Sequence, residues 1–310
     1  MWSPGIRIGV KPGGWYHKTE CFGPVLGLMR VTSVEEAIEI QNSSEFGLTG
    51  GIHSLDPKEI ELWRDKVEVG NAYINRPTTG AIVQRQPFGG WKNSCIGPGS
   101  KAGGPNYVSL FCKWTDTEDP KLRERIAQSI SGWIKQSCSD PDQQTRITAA
   151  AESCQYWWNR EFSVVHDPSA IHGETNEFRY RKRPWHIVRV ESVDDSTIES
   201  LLKIAVACRI ADVDLQVSVN DSVDLESMLG SFASKWTRES NDAFCSRCKE
   251  LTAGSISLFG AAKDTELHTV LSKQNISVSG VSVSNGRIQL LKFLREQSVT
   301  ETVHRYGNIV

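Results

Sequence analysis

The stretch TTGAIVQRQPFGGWK, Thr78 to Lys92, decides how this chain is read. It sets Gly80, Gly89 and Gly90 around Pro87, a glutamine pair (Gln84, Gln86) that looks exposed, and Phe88. It is too glycine-rich to form a core element and too apolar to be a linker. Glycine leaves backbone N–H groups unobstructed, and consecutive amides in a turn form a concavity suited to a carboxylate. Gln86-Pro87 stiffens the approach and Phe88 supplies an apolar wall. The residues alone point to a carboxylate anchor beside a small apolar slot, with a rigid packing loop as the other reading.

The elements before the loop alternate. PVLGLMRV (Pro24–Val31) reads as a strand, and Ser33 caps a helix running to about Gln41, with Glu35 and Glu36 in its first turn. GLTGGIHS returns as a strand. Asp56-Pro57 opens a helix with an apolar face of Ile60, Leu62, Trp63 and Val67, ending at Gly70. NAYIN (Asn71–Asn75) is a third strand leading directly into the loop. Strands alternating with helices specify an α/β unit.

A second region repeats that rhythm. Helices are expected over Leu122–Gln136 and Gln143–Trp158, then a strand at WHIVRVES, a helix at STIESLLKIAVACRIA and a strand at DLQVSVN. SVDLESMLGSFASKW reads as helix, SISLFG as strand, AKDTELHTVLSK as helix, and ISVSGVSVS as an alternating strand. GRIQLLKFLREQ reads as helix, with SVTETVHRYGNIV as an extended tail, and HGETNEFRY as an interface or turn element. The layout is a small doubly wound sheet without the G-x-G-x-x-G that marks dinucleotide binding, so its role is expected to be structural.

Composition divides the chain at the same place. Of 25 glycines, 17 fall between Gly5 and Gly104. Formal charge is +2 over residues 1–115 (12 basic, 10 acidic) and −4 over 116–310 (23 basic, 27 acidic). The polar segment Lys113–Arg125 marks the expected boundary, giving domains at 1–115 and 116–310. At 310 residues, 39% hydrophobic and 23% charged, the chain is an ordinary globular α/β protein. A net charge of −2 gives no reason to expect nucleic acid, and no apolar run reaches membrane-spanning length. Eight cysteines without a regular framework point to a reducing cytoplasm.

Other motifs carry less. GPGSKAGG (Gly97–Gly104) resembles a phosphate cradle, but no strand precedes it and Pro105 follows where a helix should begin, so it reads as a structural loop. Cys245 and Cys248 have metal-ligand spacing, but a structural zinc site needs four ligands and no second pair is in sight. They read as a thiol pair on a helix, and no metal is expected. The seven histidines form no ordered triad.

Four ordered blocks, ECFGPVL, FGLTGGIHS, GNAYINRPTTGAIVQRQPFGGWKNS and GPGSKAGGPNY, resemble the C-terminal part of the aldehyde dehydrogenase superfamily. Specifically they resemble the L-glutamate-γ-semialdehyde (1-pyrroline-5-carboxylate) dehydrogenase domain of bifunctional proline utilization A proteins, over Trp2–Trp114. GETNEFRYR, GRIQLLKFLREQSV and HRYGN resemble the extra C-terminal domain of longer members, a degenerate aldehyde dehydrogenase-like, Rossmann-like unit. The resemblance implies an NAD-dependent oxidation of glutamate semialdehyde to glutamate in proline catabolism, with FAD confined to a separate proline dehydrogenase part. It assigns Glu20 to the nicotinamide-side ribose and Phe22 to packing against the cofactor. Gly80 and Ala81 become the amides that hold the substrate α-carboxylate, and Phe88 the wall of the aldehyde slot. The family's cysteine nucleophile and deacylating glutamate have no match here, since Cys21 and Cys95 stand elsewhere, so no catalytic residue is expected. The chain is therefore expected to be a fragment, inactive alone, that works with a missing N-terminal part or as a homo-oligomer. The alternative is a non-catalytic assembly or capping module binding another subunit.

Overall fold

A computed structural model describes residues 3–309 apart from 117, 118, 222, 224, 261–264, 306 and 307. It begins with two short parallel strands, β1 (Gly5–Ile8) and β2 (Val25–Leu28), in register from Gly5 with Val25 to Ile8 with Leu28. Helix α1 (Val34–Asn42) starts where the Ser33 hydroxyl accepts from the Glu36 amide at 3.2 Å. Strand β3 (Thr49–Ile52) precedes α2 (Pro57–Lys66), whose cap Asp56 accepts from the Lys58 amide at 2.9 Å. These ends follow from caps that satisfy otherwise orphaned amides. Helix α2 stops at Lys66, short of Gly70, because Val67 turns extended and is buried with Val69 against Ile38, Trp63 and Ile74. Strand β4 (Asn71–Ile74) follows, buried at every position.

The second region starts with α3 (Gln128–Ser137) and α4 (Pro141–Trp157). The expected helix from Leu122 begins six residues late. The Glu124 amide donates to the Glu152 carbonyl at 3.0 Å and Ile126 is drawn into the core, which pins that lead-in as non-helical chain. Next come β5 (Glu174–Lys182), β6 (Trp185–Val190), α5 (Asp195–Ala211), β7 (Asp214–Val219) and β8 (Lys235–Arg238). Then follow α6 (Asn241–Cys248), β9 (Ser255–Phe259), α7 (Thr265–Lys273), β10 (Ser277–Val278) and β11 (Leu294–Thr302). Strands β8-β7-β6-β9-β10 form one parallel sheet, in that order. Val188, Val190, Val217 and Val219 pack on the side of α3–α5, while Ile187 and Ile256 pack with Phe244, Leu267 and Leu271 on the other. A parallel sheet covered on both faces is the doubly wound layout expected, and the fold is mixed α/β throughout.

Four elements depart from the sequence reading. In 222–236 only Glu226–Leu229 is α-helical, followed by a 3₁₀ turn over Gly230–Phe232; Gly230 sits at φ +46° and breaks the helix, and Lys235 and Trp236 pass into β8. Residues 222 and 224, and 262–264 of the helix expected at 262–273, lie outside the described residues. Within Ile276–Ser284 only Ser277–Val278 pairs. The segment expected as turn at His172–Tyr180 is mostly strand β5. The helix expected over Gly286–Gln297 ends as a 3₁₀ turn at Phe293 and becomes β11. The last two changes have one cause: β5 and β11 pair antiparallel over nine residues, Leu294 with Lys182 through Thr302 with Glu174.

Strand β11 then pairs parallel with β4, Ser298 opposite Asn71, giving a second sheet in the order β3-β4-β11-β5. Its two halves come from either side of Lys113–Arg125. Val299 of β11 belongs to the core of the first region, beside Trp63 and Ile74. Among the described residues no helix is long and apolar enough to cross a membrane.

Close approach of backbones at the root of β4 generates the first prediction. A Cβ on Gly70 would lie 2.0 Å from the Gly89 carbonyl oxygen, whereas one on Gly132, inside α3, meets nothing within 4 Å. Gly70→Ala should therefore lower unfolding free energy by about 1–3 kcal/mol, as overpacking does. Gly132→Ala should raise it by about 0.5–1 kcal/mol by removing helix-opposing freedom. Urea titrations followed by circular dichroism check both signs.

Candidate functional site

The Thr78–Lys92 loop hangs from β4 and is held at its far end by buried side chains. Gln86, expected to be exposed with Gln84, is only 2% exposed. Its Oε1 accepts from the Ile82 amide at 2.8 Å and its Nε2 donates to Asn176 Oδ1 at 2.7 Å. A buried amide must satisfy both its donors and its acceptor, and this one does so by tying the loop to β5. Asn71, at the head of β4, donates to the Pro87 carbonyl at 3.2 Å and accepts from the Gly89 amide at 3.1 Å. The Ser298 hydroxyl of β11 donates to the same Pro87 carbonyl at 2.6 Å. Phe88 and Ala102 exchange backbone hydrogen bonds, 2.9 Å each, so the glycine-rich 97–104 segment forms the loop's other wall.

Above this anchored base the tip projects. Gly80 through Gln84 are exposed, Gly80 has φ +82°, and a Cβ there would meet open space. The amides of Gly80 and Ala81 have no hydrogen-bond acceptor among the described residues. Phe88 is 38% exposed at the tip's foot. The three anchor candidates are thus on one loop, which carries two amides without an acceptor among the described residues and one accessible ring.

The cofactor candidates lie elsewhere. Glu20 and Phe22 line a groove of about 860 Å³ with His17, Met29, Leu48 and Thr49. Phe22 is 93% exposed and holds a left-handed backbone at φ +44°, which costs energy for a bulky side chain. Among the described residues nothing donates to the Glu20 carboxylate. None of the three anchor residues lines this groove.

Sequence reasoning missed Lys101, which lies in the unpromising GPGSKAGG stretch. Its side chain is fully buried; Nζ donates to Asn71 Oδ1 at 3.0 Å and to the Gly89 carbonyl. Burial pushes this ammonium down to about 7, against the opposing pull of Glu296. Glu296, on β11, is buried and pushed up by that burial. Its carboxylate accepts from the Lys101 amide at 2.7 Å and from Asn106 Nδ2 at 2.7 Å, and Asn106 also donates to the Tyr180 hydroxyl at 3.0 Å. A lysine amid seven residues of glycine, proline, serine and alanine was the available signal. Cys95, half-buried beyond the loop, has its thiol pushed up by burial, with Arg183, Arg295 and Lys101 pulling the other way, so it is not an activated thiolate. Cys245 and Cys248 are buried on α6, and burial pushes the Cys248 thiol up to about 12. Among the described residues there is no cluster of histidine, cysteine and carboxylate side chains able to hold a metal.

The aldehyde dehydrogenase family model matches residues 1–116. 1-Pyrroline-5-carboxylate dehydrogenase 2 of Bacillus subtilis (strain 168) is 44% identical over 108 residues, which are 35% of this chain and 21% of that protein. The solved structure of proline utilization A from Corynebacterium freiburgense is 40% identical with a TM-score of 0.78, and the match covers 99% of this chain and 28% of that one. A Thermus 1-pyrroline-5-carboxylate dehydrogenase solved with bound NAD is 41% identical over 35% of this chain and 20% of its own, with a TM-score of 0.33. The chain therefore spans 21% of the length of the first of these relatives and 28% of the Corynebacterium protein. Residues 1–116 match the aldehyde dehydrogenase family model, and the chain as a whole shares the fold of the matching part of proline utilization A.

The buried ammonium generates a pH prediction. A lysine that folds with its pKa lowered binds fewer protons folded than unfolded between about 7 and its ordinary value of 10.5. Its contribution to stability therefore improves as pH rises through that window. Lys101→Met should remove that rise while lowering stability overall, since Asn71 and Gly89 lose a donor. Denaturant midpoints of both proteins at pH 6.5 and 9.5 should show the gap widening at the higher pH.

Proposed function

We propose that this chain supplies the substrate-carboxylate anchor and part of the NAD site of an L-glutamate-γ-semialdehyde (1-pyrroline-5-carboxylate) dehydrogenase, which oxidises the semialdehyde to glutamate. The observation that carries the reading is the loop: among the described residues the amides of Gly80 and Ala81 are unengaged at its exposed tip, Phe88 is exposed on the same loop, and its base is fixed by Gln86 and Asn71. Two fixed N–H donors bind a carboxylate without reorganising, and a ring beside them shields the aldehyde end from water. The residues also fit NAD. A carboxylate with no partner, Glu20, can accept from both hydroxyls of a ribose, and the bare face of Phe22 can pack against the cofactor's flat ring. NAD, when bound, provides the hydride acceptor. Any FAD would belong to a separate proline dehydrogenase part.

In this reading the nucleophile is contributed by polypeptide outside these residues. Cys95 is held as a thiol, and Cys21 is exposed and does not line the Glu20 groove. Ile6, Ile8, Trp15, Leu26 and Leu28 around β1 and β2 are exposed, an apolar surface suited to packing on more of the same domain. The 116–310 region acts as structural support, since no G-x-G-x-x-G follows its strands and the chain segments after β6 and β9, where a doubly wound sheet binds nucleotides, approach each other closely. A Cβ on Gly260 there would lie 2.2 Å from Ser192 Oγ. The enzyme is expected in the cytoplasm.

In an intact enzyme carrying this segment, Gly80→Val places a β-branched side chain at φ +82° and crowds the amides. KM for glutamate semialdehyde should rise about 30- to 150-fold, the loss of charge-assisted hydrogen bonds, while simple aliphatic aldehydes are spared. Phe88→Ala should impair both substrates. Equal losses for the two substrates in Gly80→Val would make the loop a packing element. The chain by itself should not oxidise glutamate semialdehyde, and turnover surviving in Cys21→Ser/Cys95→Ser would contradict the assignment of the nucleophile elsewhere.

A further inference from the structure

A cavity of about 530 Å³ opens where Trp91–Gly99 of the first region faces Thr252–Ala253 and Lys273–Asn275 of the second. It adjoins the Glu20 groove at Ser44 and Asn93 but contains neither Glu20, Phe22 nor the loop-tip residues, and it does not depend on the proposed function. Four cations line it, Lys92, Arg183, Lys273 and Arg295, against two carboxylates, Glu45 and Glu68. Glu68 is already paired with Lys92, Oε2 to Nζ 2.8 Å, and Glu45 is exposed. Three cations thus share the cavity without a carboxylate bonded to any of them among the described residues.

Two of the three are held as if waiting for an acceptor. Arg183 is 6% exposed; its terminal nitrogens donate to the carbonyls of Gly254 at 3.4 Å and Pro98 at 3.1 Å, but its Nε is buried without a partner. Arg295 lies over the Trp91 ring, Cζ 4.2 Å from the centroid, and its Nε is also buried without a partner. Among the described residues the Arg295 side chain makes no hydrogen bond. Stacking uses the face of a guanidinium and leaves its in-plane donors free, which is how arginine is presented to oxyanions. Burial, then the charge of Arg295, holds Arg183 down to about 10, so the two guanidiniums feel each other. Leaving like charges and unpaired donors together in the interior is costly unless an anion joins them. The cavity wall is also strained: Lys92, Ala253 and Asn275 line it with φ of +52°, +66° and +52°. Such strain concentrates where geometry is held for a ligand.

We propose that this cavity binds a small dianionic oxyanion, a phosphate monoester or a dicarboxylate, through Arg183, Arg295 and Lys273. Because both regions contribute walls, the ligand would bridge them.

The test uses the full chain in a Cys21→Ser/Cys112→Ser background, where Cys95 on the cavity wall is the one remaining thiol that is not buried. Inorganic phosphate and succinate are titrated against sodium chloride at equal ionic strength, reading thermal midpoint and the rate of Cys95 alkylation by N-ethylmaleimide. At least one dianion should raise the midpoint saturably and slow alkylation at matching half-maximal concentrations. Phosphate alone acting identifies a phosphoryl ligand, and succinate alone a dicarboxylate. Lys273→Gln, at the exposed end of α7, should weaken the effect about ten-fold, the scale of one charge-assisted hydrogen bond. Arg295→Met should abolish it. If Arg295→Met does not fold, Lys273→Gln decides alone. No response beyond chloride, or a response unchanged in Lys273→Gln, overturns the proposal.

Discussion

Strand β11 lies between β4 and β5, and the polar groups that hold the Thr78–Lys92 loop lead back to it. Its Ser298 donates to the Pro87 carbonyl, its Glu296 carbonyl accepts from Trp91 Nε1 at 2.8 Å, and the Glu296 carboxylate accepts from the Lys101 amide. Gln297 donates to the Val69 carbonyl at 2.8 Å and accepts from Arg179 Nε at 2.9 Å, joining the chain before β4 to β5. These groups are buried, so each must find its partner within the protein. The consequence is geometric: the loop tip can be exposed, with free amides, only because its base is tied down by residues about two hundred positions away.

This dependence explains which parts of the molecule were legible in the sequence. Local devices read true, such as the Ser33 and Asp56 caps and the apolar strand HIVRV, because their causes lie within a few residues. The loop's composition raised the anchor reading from the same kind of local signal. What could not be read was set by distant pairing. LREQ continues the helical pattern of Ile288, Leu291 and Leu294, yet it opens β11 because nine residues of β5 and four of β4 pair with that strand. Gln86 looked solvent-facing because its partner, Asn176, is 90 positions away. Lys101 and Glu296 were invisible as a pair of buried charges for the same reason, and the boundary near Lys113–Arg125 marks a change of composition that the second sheet crosses.

The two regions contribute differently to chemistry. The first presents free donors, an unpartnered carboxylate and exposed rings, all features that suit ligands. The parallel sheet of the second region buries its polar side chains against one another. His186 is fully buried between Ser255 and Ser257 hydroxyls at 2.8 and 3.1 Å, and burial holds its imidazole down to about 3, hence neutral. Such a satisfied histidine stiffens the sheet. The second region thus acts on the first mechanically, through β5 and β11, and the cavity where the two meet is the place where that coupling could be read by a ligand.

The central claim is that β11 and the anchor loop form one cooperative unit. Native-state hydrogen exchange on the full chain tests it, comparing wild type with Val299→Asp, which puts a carboxylate into the core beside Trp63 and Ile74. The account predicts that amides of Asn71–Ile74 and of Phe88, which bond within this unit, lose protection together with those of β11, while the parallel sheet around β6 keeps its own. Loss confined to β11, with Asn71–Ile74 and Phe88 exchanging as in wild type, would contradict it.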